Sequence, residues 1–101
     1  MKNNQDQFNL LRVINSNPKI SQRELANHLN LSLGKINYTL LTLKKRGLVK
    51  LKYFEKNENK MQYMYLLTPK GIFEKTKIAI NLMKQSMAEY EDLKKEIDND
   101  K

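Results

Sequence analysis

Residues 21–46, SQRELANHLNLSLGKINYTLLTLKKR, decide the fold. Ser21-Gln22-Arg23-Glu24 reads as a capping box, in which the Ser21 hydroxyl accepts the backbone N–H of Glu24 and the Glu24 carboxylate reaches back to Ser21. Ile20 and Leu25 take the staple positions around it. Leu25, Ala26 and Leu29 then make the inner face of a short helix. Asn30-Leu31 forms a turn, and Ser32 caps a second helix with Leu31 and Ile36 as its staple pair. Leu33, Ile36, Leu40 and Leu43 recur at helical spacing and are expected to face a core. Arg46 reads as the last helical residue and Gly47 as a left-handed exit, with Leu48 folding back on Leu43. Two helices joined by so short a turn have the geometry of a helix-turn-helix.

The flanking segments fit that centre. Residues 1–17 form an amphipathic helix carrying Phe8, Leu10, Leu11, Val13 and Ile14, which Asn17-Pro18 ends because a residue before proline is driven out of the helical region. Lys19-Ile20 is too short for more than a stub of strand. Val49, Leu51 and Tyr53 alternate with Lys50 and Lys52 as one strand, polar residues 56–60 make a turn, and Met61 to Leu67 form a second strand. Tyr53, Tyr63 and Tyr65 are expected to pack in the core rather than stack on bases. Thr68 and Pro69 open a last helix as N-cap and first helical residue, with Leu67 and Ile72 as a staple pair.

Along that last helix Ile72, Thr76, Ala79, Met83, Ser86, Tyr90, Leu93 and Ile97 advance in steps alternating between four and three, the 3.5-residue repeat of a coiled coil. Met83 and Met87 suit an adaptable interface. No other segment carries a heptad to cover this seam, so an identical chain in a two-fold dimer is the economical partner. The predicted fold is mainly α with a small β-hairpin: a winged helix-turn-helix, three helices plus wing, over residues 1–68, then a coiled-coil-like dimerisation helix over 69–101.

Charge placement narrows the function. The chain has 101 residues and a net charge of +8. Residues 69–101 are electrically balanced, so the whole excess lies before Thr68, with five basic residues against one acidic in 21–46. A basic body with a neutral arm points to a polyanion met by the body, here double-stranded DNA. On the second helix of the motif Gly34, Lys35, Asn37, Tyr38 and Thr42 project away from the predicted core. Gly34 permits close backbone approach, Lys35 can donate to guanine or phosphate, Asn37 can pair with adenine, and Tyr38 can meet a thymine methyl or a phosphate. Ser32 and Thr42 suit phosphate or sugar contacts. Gln22 and Arg23 at a helix N-terminus are expected to hold a phosphate, and Lys56 and Lys60 at the wing tip are expected to contact the DNA backbone or minor groove. The competing reading is a solvated helix face, with wing lysines serving only to block edge pairing.

Other chemistry finds little support. The chain lacks cysteine and has one histidine, His28, expected to be an ordinary partly buried side chain, so neither a metal site nor a nucleophile-histidine-carboxylate set can be assembled. Without a phosphate-binding glycine loop either, an enzyme is not expected, and no cofactor is called for. The N-terminus MKNNQDQF is polar where a signal peptide needs an apolar stretch, and no membrane-spanning run occurs, so a cytoplasmic, nucleoid-associated protein is expected.

The run ISQRELANHLNLSLGKINYTLLTLKKRGLVK, a hairpin, then YLLTPKGI and a long helix resembles the MarR winged-helix transcriptional regulators, and is most similar to their short exopolysaccharide-associated branch. The resemblance covers residues 8–97. It implies a homodimeric bacterial repressor or activator whose recognition helices enter successive major grooves, with Gly34, Lys35, Asn37 and Tyr38 at the base-contacting positions and residues 56–60 at the wing tip. Larger members add dimerisation helices that enclose a small aromatic effector. With one long C-terminal helix here, an effector pocket is not expected, and the thiol switch of some members is excluded by the absence of cysteine. The alternative from another class is a winged-helix adaptor that docks proteins without specific DNA binding.

Overall fold

The structure, a computed structural model, describes the backbone of residues 2–57 and 60–99 and the side chains of 5–54 and 61–99. In chain order its elements are α1 (Lys2–Ser16), α2 (Gln22–Leu29), α3 (Leu33–Lys45), β1 (Val49–Asn57), β2 (Lys60–Leu67) and α4 (Pro69–Asn99). This is the predicted winged helix-turn-helix with a long terminal helix.

One core holds the first five elements together. Leu10, Leu11 and Ile14 of α1, Leu25 of α2, Ile36, Leu40 and Leu43 of α3, and Leu48 are almost wholly removed from water. Each such side chain contributes about 1.5–3 kcal/mol of transfer free energy. Tyr65, Leu67, Ile20, Leu29 and Leu31 close the cluster from its edges.

The caps form as the sequence predicts. Ser21 Oγ accepts the Glu24 N–H at 3.1 Å and Glu24 Oε1 accepts the Ser21 N–H at 3.1 Å. Ser32 Oγ accepts the Lys35 N–H at 3.0 Å. Asn30 leaves α2 in the left-handed region at φ 54° and so turns the chain into α3. At the end of α3 the Gly47 N–H donates to Lys44 O and the Leu48 N–H to Leu43 O, both at 3.0 Å, the paired bonds of a Schellman ending. Gly47 takes φ +73° there, and Arg46 is the C-cap, one residue beyond the helix rather than its last member.

The hairpin is antiparallel, with Val49 opposite Leu67, Leu51 opposite Tyr65 and Tyr53 opposite Tyr63. Its strands reach further into the polar segment than side-chain alternation predicts, because backbone pairing continues to Asn57 and Lys60 after apolar patterning has stopped. The stub at Lys19-Ile20 forms no strand. The Tyr65 N–H instead donates a single bond to the Pro18 carbonyl at 3.3 Å.

Three residues expected in the core lie outside it. Leu33, at the first turn of α3, is 48% exposed. Tyr53 and Tyr63 overhang the body beyond Tyr65 and are exposed; they pack on each other with ring centroids 4.6 Å apart. Tyr53 donates its hydroxyl to Tyr63 at 3.4 Å, and this bond, with repulsion between the two phenolates, pushes the Tyr53 pKa above its ordinary value. His28 is exposed rather than partly buried.

Helix α4 is locked to the winged unit at its first turn. Thr68 Oγ1 donates to the Gly47 carbonyl at 2.6 Å and accepts the Gly71 N–H at 3.0 Å, and the Thr68 N–H donates to the Leu48 carbonyl at 3.0 Å. A Cβ at Gly71 would lie 1.9 Å from the Leu48 carbonyl oxygen, a contact with backbone that cannot move aside cheaply. Ile78 is buried about two turns further on, Ala79 and Leu82 are still partly covered, and from Met83 onward α4 is exposed along its length, so the molecule measures 69 × 26 × 20 Å. Gly71→Ala is therefore expected to destabilise the fold by about 1–3 kcal/mol, lowering Tm by roughly 4–8 °C for each kcal/mol in a chain of this size. An unchanged Tm in thermal unfolding followed by circular dichroism would contradict the close approach.

Candidate nucleic-acid interface

Helix α3 presents its outer surface because its inner one is spent on the core. Ile36, Thr39, Leu40 and Leu43 are buried. Gly34, Tyr38, Leu41 and Lys45, spaced four, three and four residues apart, lie on the opposite side and are all exposed. Asn37 and Lys44 flank them on one edge, Lys35 and Thr42 on the other. The helix contains no acidic residue between Leu33 and Lys45, so α3 itself adds no negative charge to this face.

The predicted readers are not equivalent. Asn37 and Tyr38 are exposed, Tyr38 to 62%, with no side-chain hydrogen bond to hold them in the free protein. Lys35 leans toward α1, where its Nζ lies 3.8 Å from Asp6 Oδ2. Such a partly exposed pair is weak, and it holds Lys35 at the edge of the face rather than its centre. Thr42 donates its hydroxyl to the Tyr38 carbonyl at 3.0 Å, which leaves its oxygen able to accept but commits its proton. Ser32 is engaged as the N-cap. Gln22 is half-buried and Arg23 exposed at the start of α2. Lys56 and Lys60 have side chains outside the described residues.

Leu41 and Lys45 share the outer face and were missed by the sequence reading. Leu41 breaks the polar pattern, so only a full angular count around the helix, rather than a search for polar side chains, would have found it. Gly34 has nothing within 4 Å of an added Cβ, so the protein itself leaves its approach open.

Arg46 ties the end of this helix to α1 and to the start of α4. Its guanidinium donates to the Gln7 side-chain oxygen on α1 and lies 3.4 Å from Glu74 Oε2 on α4, which Lys77 also approaches at 3.9 Å. Arg46 thereby couples α3 to α4 and is not free for a ligand. On α4, of the predicted seam only Ala79 is partly covered; Ile72, Thr76, Met83, Ser86, Tyr90, Leu93 and Ile97 are exposed. Met87, expected at the interface beside the seam, is exposed, and so are Phe73 and Ile80, which the heptad reading passed over; all three widen the apolar stripe. Gln5 and Phe8 of α1 and Ala79, Leu82, Met83 and Met87 of α4 line an open groove between the two helices.

Among the described residues no group of three or more histidine and acidic side chains could hold a metal ion, and no helix is long and apolar enough to cross a membrane.

With this geometry in view, residues 7–50 match a family model described as winged helix-turn-helix DNA-binding. No curated protein sequence matches the chain significantly. Among solved structures, a MarR family transcription regulator superposes with TM-score 0.70 at 21% identity, covering 84% of this chain and 55% of its own. The PcaV transcriptional regulator from Streptomyces coelicolor, in complex with its natural ligand, gives TM-score 0.68 at 16% identity over 93% of this chain and 73% of its own. FabT from Streptococcus pneumoniae, in complex with DNA, gives 0.62 at 18% identity over 86% and 59%. The chain thus spans little more than half the length of the first and third of these. At such identities the likeness establishes the fold, and the fold is that of the MarR-type regulators.

Because Gly34 is helical, exposed and unobstructed, Gly34→Ala should stabilise the free protein by up to about 1 kcal/mol, seen as a raised Tm. A fall in Tm would mean that this part of α3 is not the open helical surface described.

Proposed function

We propose that this chain is a MarR-family transcriptional regulator that binds double-stranded DNA sequence-specifically as a homodimer. The observation that carries the reading is the acid-free outer face of α3, with Gly34, Asn37, Tyr38, Leu41 and Lys45 exposed together on a rigidly capped helix. Asn37 and Tyr38 read base edges in the major groove, Lys35 leaves Asp6 to reach guanine or phosphate, and Lys44 and Lys45 hold the backbone. Gln22, Arg23, Ser32 and Thr42 fix register on phosphates, and Lys56 and Lys60 carry the wing to the backbone or minor groove. The MarR-type fold and the winged helix-turn-helix match over residues 7–50 support this reading. The SLGKINY and YLLTPKGI stretches favour the short exopolysaccharide-associated branch, and the work of the protein is cytoplasmic, on the nucleoid.

Residues 1–68 form the DNA-binding unit and the helix beyond them pairs two copies. The exposed stripe from Ile72 to Ile97, enlarged by Phe73, Ile80 and Met87, supports that pairing, because an amphipathic helix of this length projecting alone would leave many large apolar side chains in water. Two readers about 34–36 Å apart then meet a pseudo-palindromic site in successive major grooves.

Fluorescence anisotropy with random and selected duplexes tests the reading. Tight binding to the selected duplex that weakens steeply with salt is expected; equal affinity for all duplexes, or no binding at low salt, contradicts it. Asn37→Ala should cost about 1–3 kcal/mol at one base position, whereas Lys45→Ala should weaken all sequences about equally. Gly34→Ala should bind less tightly although it folds more stably. Sedimentation should give a dimer at micromolar concentration, and a monomer there would remove the pairing role of α4.

A further inference from the structure

The fold leaves Leu33 and Leu41 uncovered. Both are about half exposed, at 48% and 49%, on a short helix whose other large aliphatic side chains, Ile36, Leu40 and Leu43, are buried almost completely. They stand four residues before and four residues after Asn37, so Leu33, Asn37 and Leu41 form one row along the edge of the reader. Lys44 and Lys45 continue that edge, and with no acidic residue in α3 the row is open to an anionic partner.

Resting on the DNA-binding reading above, we infer that Leu33 and Leu41 are specificity-determining residues that contact the 5-methyl groups of two thymines on either side of the adenine taken by Asn37. A leucine has no hydrogen bond to offer a base edge, and thymine alone presents a methyl group in the major groove. Burying that methyl against leucine removes apolar surface from water on both partners. A cytosine at the same position offers an amino group instead, which a leucine would leave without a partner. An eight-residue separation is about 12 Å along a helix, or roughly three to four base steps of 3.4 Å. The two thymines are therefore three to four steps apart, with the adenine roughly midway. The row imposes an A·T-rich core on a site that polar side chains alone would leave open at two positions.

Replacement of each thymine of a selected duplex in turn by deoxyuridine, which removes only the methyl, tests this with the wild-type protein. Two positions three to four steps apart should each lose about fourfold in affinity, the factor that burial of one methyl-sized group supplies. Leu33→Ala should abolish the loss at one position and Leu41→Ala at the other, with the salt dependence unchanged and each variant as stable as wild type by circular dichroism. Uniform tolerance of deoxyuridine by a protein that still discriminates selected from random duplex overturns this inference and leaves the DNA-binding reading standing. Retention of both sensitivities in both variants overturns it equally. Failure to bind any duplex overturns both readings together.

Discussion

The carbonyl of Leu48 is the point on which the two halves of the molecule turn. It accepts the Thr68 N–H, and it sits where any side chain at position 71 would have to go. Thr68 completes the lock by holding the Gly47 carbonyl with its hydroxyl while capping α4 with the same oxygen. The end of α3, the closing of the hairpin and the start of α4 are therefore one structure. A hinge at that place would let α4 swing independently of α3. The lock instead makes the direction of the long helix a fixed consequence of where α3 ends.

Arg46 adds a second strut, from the C-cap of α3 to Gln7 on α1 and Glu74 on α4. Its ion pair is partly exposed and of little energetic weight by itself, but it joins three helices in which backbone caps already restrict movement. In a dimer formed through α4, the spacing of two readers would be set through this junction. That is how a surface far from the DNA could decide whether both copies of α3 find successive grooves.

Much of this was legible in the residues because local chemistry and global packing agree at the element boundaries. Ser21, Ser32, Gly47, Thr68 and Pro69 each have a single strong local meaning, and each lies where that meaning predicts. The errors fall where a residue's place depends on what other elements leave uncovered. Leu33 follows the core period but sits at the open end of α3, and Tyr53 and Tyr63 keep the core-side alternation after the core beneath them has run out. Lys35 reads as an outward donor until Asp6, remote in sequence, draws it sideways. The closeness of Gly71 to Leu48 had no sequence signal at all, since a glycine near a helix start is compatible with many environments.

The central claim is that two copies of α3, placed by paired α4 helices, read DNA one turn apart. Hydroxyl-radical footprinting on a selected duplex tests it most directly. Two protected patches centred about 10–10.5 base pairs apart, both lost when Asn37 and Lys45 are replaced by alanine, are the predicted result. A single protected patch, or protection spread evenly along the duplex, would contradict it.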